Sequence, residues 1–134
     1  MPQQIFVNLP VTDVARSRLF YQALGYTINE KFSDATAACV VLSDTIYFMI
    51  LNHDRFQGFA SKPMADPAKG TAVTIALSQE SRDAVDAISA AALKAGGSEP
   101  KPAQDLGFMY SRTFHDPDGN VLEPFWMDPA AVQG

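Results

Sequence analysis

Apolar and polar positions along this chain follow two rhythms, and the rhythms occur in the same order twice. The segment IFVNLPV, residues 5–11, is short and rich in β-branched and aromatic residues, which predicts a strand. The next segment, TDVARSRLFYQALG, places Leu19, Phe20, Ala23 and Leu24 at helical spacing. Asp13 can cap that helix, because its carboxylate accepts from the N–H groups left over at a helix start. Gly25 can stop it in the left-handed conformation that glycine tolerates. Three strand-like stretches follow, YTINEKF, ATAACVVL and TIYFMIL, joined by polar turns at 33–34 and 43–44.

The order then repeats. AVTIALS reads as a strand, and Ser81 can cap a helix running to Gly96 and Gly97. Val85, Ile88, Ala92 and Leu93 form its apolar side. Extended stretches follow in SEPKPAQ (weakened by two prolines), FMYSRTFH and NVLEPFW. The chain therefore reads βαβββ and then βαβββ, offset by roughly 70 residues, and a repeat on that scale describes the fold. Between the halves, NHDRFQGFASKPMADPAKG reads as a long loop, with Phe56 and Phe59 as anchors to the core or, alternatively, as a pocket lid. In the tail, Asp128 before Pro129 predicts a short helical turn. One domain over 1–134 is expected, with a first module at about 4–51, a linker at 52–70, a second module at about 71–126 and a tail at 127–134.

Composition narrows the function classes. Apolar residues make up 47% and charged residues 19%, which fits a folded chain rather than a disordered one. The net charge is −5 and there is no basic run, which disfavours nucleic acid and anionic membrane surfaces as partners. The start MPQQIFV has no positive region before an apolar one, so no signal peptide is expected, and no apolar run is long enough to span a bilayer. The single cysteine, Cys39, lies in the apolar run AACVVL and reads as a small buried hydrophobe. A reduced, cytoplasmic setting is the expectation.

Two βαβββ halves, NLPVTDVARSRLFYQALGY at the front and DPDGNVLE at the back together resemble the vicinal-oxygen-chelate superfamily. That group contains glyoxalase I and the fosfomycin-resistance, bleomycin-resistance and extradiol-dioxygenase proteins. The resemblance covers residues 4–126. NLPV, IYFMIL, GFMYSRTFHDPDG and WMDPA look in particular like glyoxalase-related proteins labelled predicted lactoylglutathione lyases. The resemblance implies an α+β fold in which tandem βαβββ modules curl their mixed sheets into a cup, often in a homodimer. In metal-dependent members, inward side chains of the first and last strands supply His, His or Glu, and Glu. The metal then binds two neighbouring oxygens of the substrate and stabilises developing negative charge.

Carried over position by position, those ligands fall on Phe6, Thr74, either Phe48 or Met49, and Glu123. Phenylalanine has no lone pair to give, and a neutral threonine hydroxyl is a poor ligand for a divalent transition metal. Only Glu123 keeps its chemistry, and catalytic sites take about three protein ligands. His53 and His115 lie far apart in sequence without a ligand spacing. No metal ligands and no cofactor are therefore assigned.

Turn chemistry places the neighbours of Glu123. Asp116-Pro117-Asp118-Gly119 suits a type I turn followed by a left-handed glycine, a hairpin that sets Asp116 opposite Asn120 and Thr113 opposite Glu123. Alternation then puts Ser111, Thr113, Val121, Glu123 and Phe125 on one face and Phe108, Tyr110, Arg112, Leu122 and Trp126 on the other. A slip of one residue would instead make Arg112 and Glu123 a cross-strand ion pair. On the first strand Asn8 shares a face with Phe6. The expected pocket is lined by Phe6, Asn8, Met49, Thr74, Ser111, Thr113 and Phe125, with Glu123 as hydrogen-bonding group or general acid/base. It suits a small organic molecule. Two alternatives stand beside that reading: a metal-dependent lyase or isomerase, and a non-catalytic dimeric partner protein whose cup is filled by Phe6, Met49 and Phe125.

Overall fold

The computed structural model describes residues 2–132, which fall into two units that divide between Gly70 and Thr71. In the first unit, strand β1 (Ile5–Val11) leads through helix α1 (Val14–Ala23) to β2 (Thr27–Asp34), β3 (Ala37–Val41) and β4 (Ile46–Asn52). The sheet order is β1-β4-β3-β2, with β1 parallel to β4 and the other pairs antiparallel. Asp13 caps α1 as its sequence predicts, accepting from the Arg16 N–H at 3.1 Å. The helix ends at Gly25, whose φ of +103° is the left-handed conformation.

The side of α1 that faces the sheet differs from the expected stripe. Val14, Ser17, Phe20 and Tyr21 are buried, whereas Leu19 is 70% exposed and Ala23 is also exposed. Tyr21 packs edge-on against Phe48, with ring centroids 5.8 Å apart, and this contact sets the rotation of the helix. One face of the sheet is thereby covered: Leu9, Val11, Ala38, Val40, Phe48 and Ile50 are buried. The alternate residues point to the opposite face.

The turn expected at 33–34 lies later, because β2 runs on to Asp34. Its pairing with β3 shifts register between Asn29 and Asp34, which is a bulge. Ser33 repairs the ladder there: its hydroxyl donates to the Asn29 carbonyl at 2.7 Å and accepts from the Cys39 N–H at 3.0 Å. The segment read as a loop between the halves begins with a helix, α2 (His53–Phe59), capped by Asn52, which accepts from the Arg55 N–H at 2.8 Å. Phe56 is half-buried, but Phe59 is 67% exposed beneath the Arg55 guanidinium and anchors nothing to the core.

The second unit repeats the topology with shorter strands. They are β5 (Thr74–Ser78), helix α3 (Arg82–Lys94), β6 (Gln104–Asp105), β7 (Met109–Ser111), β8 (Phe114–His115) and β9 (Val121–Met127), with a last turn α4 (Pro129–Val132). The order is β5-β9-β7-β6, β8 also pairs with β9, and β5 runs parallel to β9. Ser81 caps α3, accepting from the Ala84 N–H at 3.0 Å. Val85, Ile88 and Ala92 are buried against the sheet, while Leu93 turns outward and is exposed. SEPKPAQ does not form the strand expected of it; it keeps a bridge between Ser98 and His115 and its last residue, Gln104, begins β6. Proline has no N–H to donate, so Pro100 and Pro102 break the ladder.

The 116–119 hairpin forms as its chemistry predicts. The Gly119 N–H donates to the Asp116 carbonyl at 3.0 Å, and Gly119 has a φ of +102°. The buried Asp116 carboxylate accepts from the N–H groups of Asp118 and Asn120 and from the Asn120 side chain. Ser111 sits opposite Phe125, Phe114 opposite Leu122 and His115 opposite Val121, so the register is continuous and Thr113 lies opposite Glu123. Arg112 is not paired with Glu123. Its guanidinium holds Glu99 at 2.8 Å and Asp86 at 3.0 Å on the helix side.

Candidate functional site

The sequence-predicted residues lie on the sheet faces turned away from α1 in the first unit and from α3 in the second. In the first unit the pairing aligns them in rows. Asn8, Met49, Cys39 and Asn29 stand opposite one another across β1, β4, β3 and β2. The next row is Phe6, Tyr47, Val41 and Thr27. This settles the register of the fourth strand: Met49 is on the open face and Phe48 is in the core.

Here a cavity of about 360 Å³ is lined by Gln4, Phe6, Asn29, Phe32, Cys39, Tyr47 and Met49. The Phe6 and Tyr47 rings stack with centroids 4.5 Å apart and 9° between planes. Phe6 is 49% exposed and Phe32 is 67% exposed, so both rings present apolar area to solvent. Cys39 forms the floor at 1% exposure, and burial pushes its thiol up from the ordinary range, keeping it protonated at neutral pH. The Gln4 amide nitrogen donates to the Asp44 carbonyl at 3.2 Å and to the Tyr47 hydroxyl at 3.4 Å. Asn29 accepts from the Lys31 N–H at 3.1 Å through its side-chain oxygen. No charged side chain lines this cavity.

Of the residues singled out in sequence, Phe6 and Met49 meet here, while Asn8 lies in the same row outside the lining. Tyr47, Cys39, Asn29, Phe32 and Gln4 were missed. Tyr47 could have been found, since it shares the alternation of Met49. Phe32 could not, because the bulge breaks the alternation of β2.

In the second unit the corresponding face carries Thr74, Ser111, Thr113, Glu123 and Phe125. Thr74 pairs with Val121, Ala76 with Glu123, Ser78 with Phe125, and Phe125 with Ser111. Glu123 is half-buried between Ala76 and Thr113, and among the described residues its carboxylate has no hydrogen-bond or ion-pair partner. The opposite, helix-bearing face holds the charged groups. Arg82 grips Asp105 through two nitrogens at 2.8 and 3.1 Å and lies over the Tyr110 and Trp126 rings. The Tyr110 hydroxyl donates to Asp86 at 2.6 Å, which, with Arg112 beside it, holds the Asp86 carboxyl below its ordinary range.

The donor set does not fit the transition metal that the resemblance implies. Phe6, Met49 and Thr74 offer an aromatic ring, a soft thioether and a neutral hydroxyl, leaving Glu123 as the one hard ligand. Among the described residues no three His, Cys, Asp or Glu side chains are grouped to hold a metal ion. No helix among them is long and apolar enough to cross a membrane.

The first 40 or so residues also carry a sequence likeness: residues 3–43 match the family described as bleomycin resistance protein-like N-terminal. No curated protein matches the chain in sequence. Solved structures match its fold over nearly its whole length. A hypothetical protein from S. aureus superposes with a TM-score of 0.78 at 23% identity, covering 94% of both chains. A glyoxalase/bleomycin resistance protein/dioxygenase family enzyme from Burkholderia phytofirmans gives 0.75 at 17% identity, covering 94% of this chain and 99% of that one. A bleomycin resistance determinant encoded on the transposon Tn5 gives 0.65 at 19% identity, covering 95% and 99%.

Proposed function

We propose that the chain is a glyoxalase- and bleomycin-resistance-like protein of the vicinal-oxygen-chelate superfamily, a reading supported by its fold and its N-terminal sequence, and that it binds a small organic molecule on the open face of β1–β4 without a transition metal. The observation that carries this reading is the cavity of about 360 Å³ walled by Phe6, Phe32 and Tyr47. Its size falls in the range of small-molecule sites, and its lining is mostly apolar with a few polar groups, as such sites require. Aromatic side chains left exposed at the same place lose hydration cost when a ligand covers them.

The test has two parts. Thermal unfolding against a library of small aromatic compounds should give upward shifts in the native chain that disappear in Phe6→Ala and Tyr47→Leu. Elemental analysis of purified protein should find no stoichiometric transition metal. A metal content near one Ni, Zn, Mn or Fe per chain, lost on Glu123→Ala, would sink this reading. The same proposal takes the chain as a homodimer, since β1 and β2 are the edges of the first sheet and β5 and β6 those of the second. Light scattering should return the mass of two chains; the mass of one would count against it.

A second reading rests on Glu123. Its carboxylate, without a partner among the described residues and on the sheet face turned away from α3, could take or give a proton. It makes the chain a lyase- or isomerase-like enzyme with Glu123 as general base. Hemithioacetal isomerisation that survives metal chelation and is abolished in Glu123→Gln would favour it over binding alone.

A further inference from the structure

We infer that residues 99–107 form a strap that opens and closes as one unit, locked from the helix side by two arginines, and that its closed state sets Gln104 on the sheet face carrying Glu123. The opening follows from geometry; its bearing on function rests on the second reading above, in which Glu123 does the chemistry. Three observations carry it.

The first is how little apolar burial holds the segment. Residues 100–108 are all exposed, and Glu99 is half-buried. Pro100 and Pro102 have no N–H to give to a ladder. A segment with few buried apolar contacts opens more readily than the strands it lies against.

The second is where its fastenings are. At the front end, beside the Ser98–His115 bridge, the Glu99 carboxylate accepts from the Arg112 guanidinium at 2.8 and 3.0 Å. At the back end, Arg82 donates to both oxygens of Asp105 at 2.8 and 3.1 Å and to the Gly107 carbonyl at 2.8 Å. The two clamps are joined. Asp86 of α3 accepts from Arg112 at 3.0 Å and from the Tyr110 hydroxyl at 2.6 Å, and the Tyr110 ring lies 5.3 Å beneath the Arg82 guanidinium. A connected network of this kind couples its members, so loosening one clamp loosens the other.

The third is what the strap carries. Strand β6 has two residues, and alternation sends them to opposite faces. Asp105 goes to the helix side, where Arg82 holds it. Gln104 stands opposite Ser111, Ser111 opposite Phe125, and Phe125 opposite Ser78. Glu123, two residues before Phe125, shares that face. The Gln104 amide therefore brings a donor and an acceptor to a face whose other polar groups are hydroxyls and one carboxylate. Closure on the helix side delivers that amide, and opening withdraws it.

The test is amide hydrogen exchange followed by NMR on the full chain. The reporters are the Ser98 N–H, bonded to the His115 carbonyl at 3.2 Å, the Leu106 N–H, bonded to the Met109 carbonyl at 2.8 Å, and the Gly107 N–H, bonded to the Asp105 carboxylate at 2.9 Å. Arg82→Gln loosens the back clamp alone, yet should speed exchange at all three by about fivefold. Glu99→Gln, at the front clamp, should do the same. Raising sodium chloride from about 0.05 to about 1 M should also speed the three together, because exposed ion pairs are screened. Amides of β5 and β9 should stay unchanged throughout. Cross-relaxation between the Gln104 side-chain amide and Ser111 should be present in the native chain and weaken in Arg82→Gln. If Arg82→Gln speeds only Leu106 and Gly107 while Glu99→Gln speeds only Ser98, there are two separate pins and no strap. Exchange unmoved by either variant, or rising equally in β5 and β9, also overturns the strap. Unchanged Gln104–Ser111 cross-relaxation in Arg82→Gln overturns the link between the two faces. None of these readouts uses an isomerase activity, so a chain without one loses the bearing on Glu123 and keeps the strap.

Discussion

The two units share a topology and differ in what they spend it on. In each, the first strand pairs in parallel with the last, and one helix covers one sheet face. In the first unit the strands are long, the helix side is closed by Phe20, Tyr21 and Phe48, and the open face is aromatic. In the second unit the outer strands shrink to two or three residues, and the open face carries hydroxyls and one carboxylate. Part of its cohesion is electrostatic: Arg82 and Arg112 tie α3 to Asp105 and Glu99 in the chain beyond it. The repeated pattern thus fixes the scaffold, while single side chains at equivalent strand positions decide what each face can recognise. Phe6 and Thr74 mark the divergence most clearly, since the resemblance assigns both to metal ligation, for which a phenyl ring has no lone pair and a neutral hydroxyl is a poor ligand.

The difference can be broken first at the packing of the first unit. Phe48→Ala should cost about 3–5 kcal/mol, because a fully buried ring leaves a cavity on the helix side. Met49→Ala, one residue on, faces the open side and should cost about 1 kcal/mol or less while weakening ligand binding. Urea denaturation of both variants checks the contrast; equal costs would mean that the two faces are not distinct in energy.

The second unit should break at Arg112. Arg112→Ala removes partly buried, charge-assisted hydrogen bonds to Glu99 and Asp86 and should destabilise by about 1–3 kcal/mol. The loss should show as faster amide exchange in α3 and β7, with the β1–β4 ladder unaffected.

Acid sharpens the same point. The Asp86 carboxyl is held below its ordinary range in the folded state, first by the Tyr110 hydroxyl and then by Arg112. A group whose folded value is depressed adds stability above its unfolded value, and that stability is lost as pH falls through the folded value. Tyr110→Phe removes the largest of these interactions, so its acid unfolding midpoint should move to higher pH. A midpoint unchanged from the native chain would show that the network does not support the second unit.

Glu123→Gln should have the smallest effect on stability, within about 0.5 kcal/mol, since the carboxylate has no partner to lose among the described residues. A large change in thermal midpoint would contradict the unpartnered placement.

Much of this was legible because it is local. The caps at Asp13 and Ser81, the stop at Gly25 and the register set by Asp116–Gly119 each depend on residues within four positions. The face of Glu123 followed from that register and from strand alternation. What stayed hidden depends on distant residues. The rotation of α1 is decided by Phe48, which buries Tyr21 and leaves Leu19 outside. Arg112 finds Glu99 and Asp86, 13 and 26 residues away, and no spacing rule predicts that choice. Phe32 reaches the cavity lining through a bulge that alternation cannot foresee. Helix α2 did leave a signal, Asn52 followed by Asp54 in the first turn, which was obscured by the glycine and prolines downstream.

Recognition on the aromatic face of the first unit, rather than around Glu123, is the central claim. At 14.5 kDa the chain is suited to amide chemical-shift mapping. On titration with a small aromatic compound that raises the thermal midpoint, the shifts should concentrate at Gln4, Phe6, Asn29, Phe32, Cys39, Tyr47 and Met49. Shifts confined to Ala76, Thr113 and Glu123, with the first-unit row silent, would contradict it.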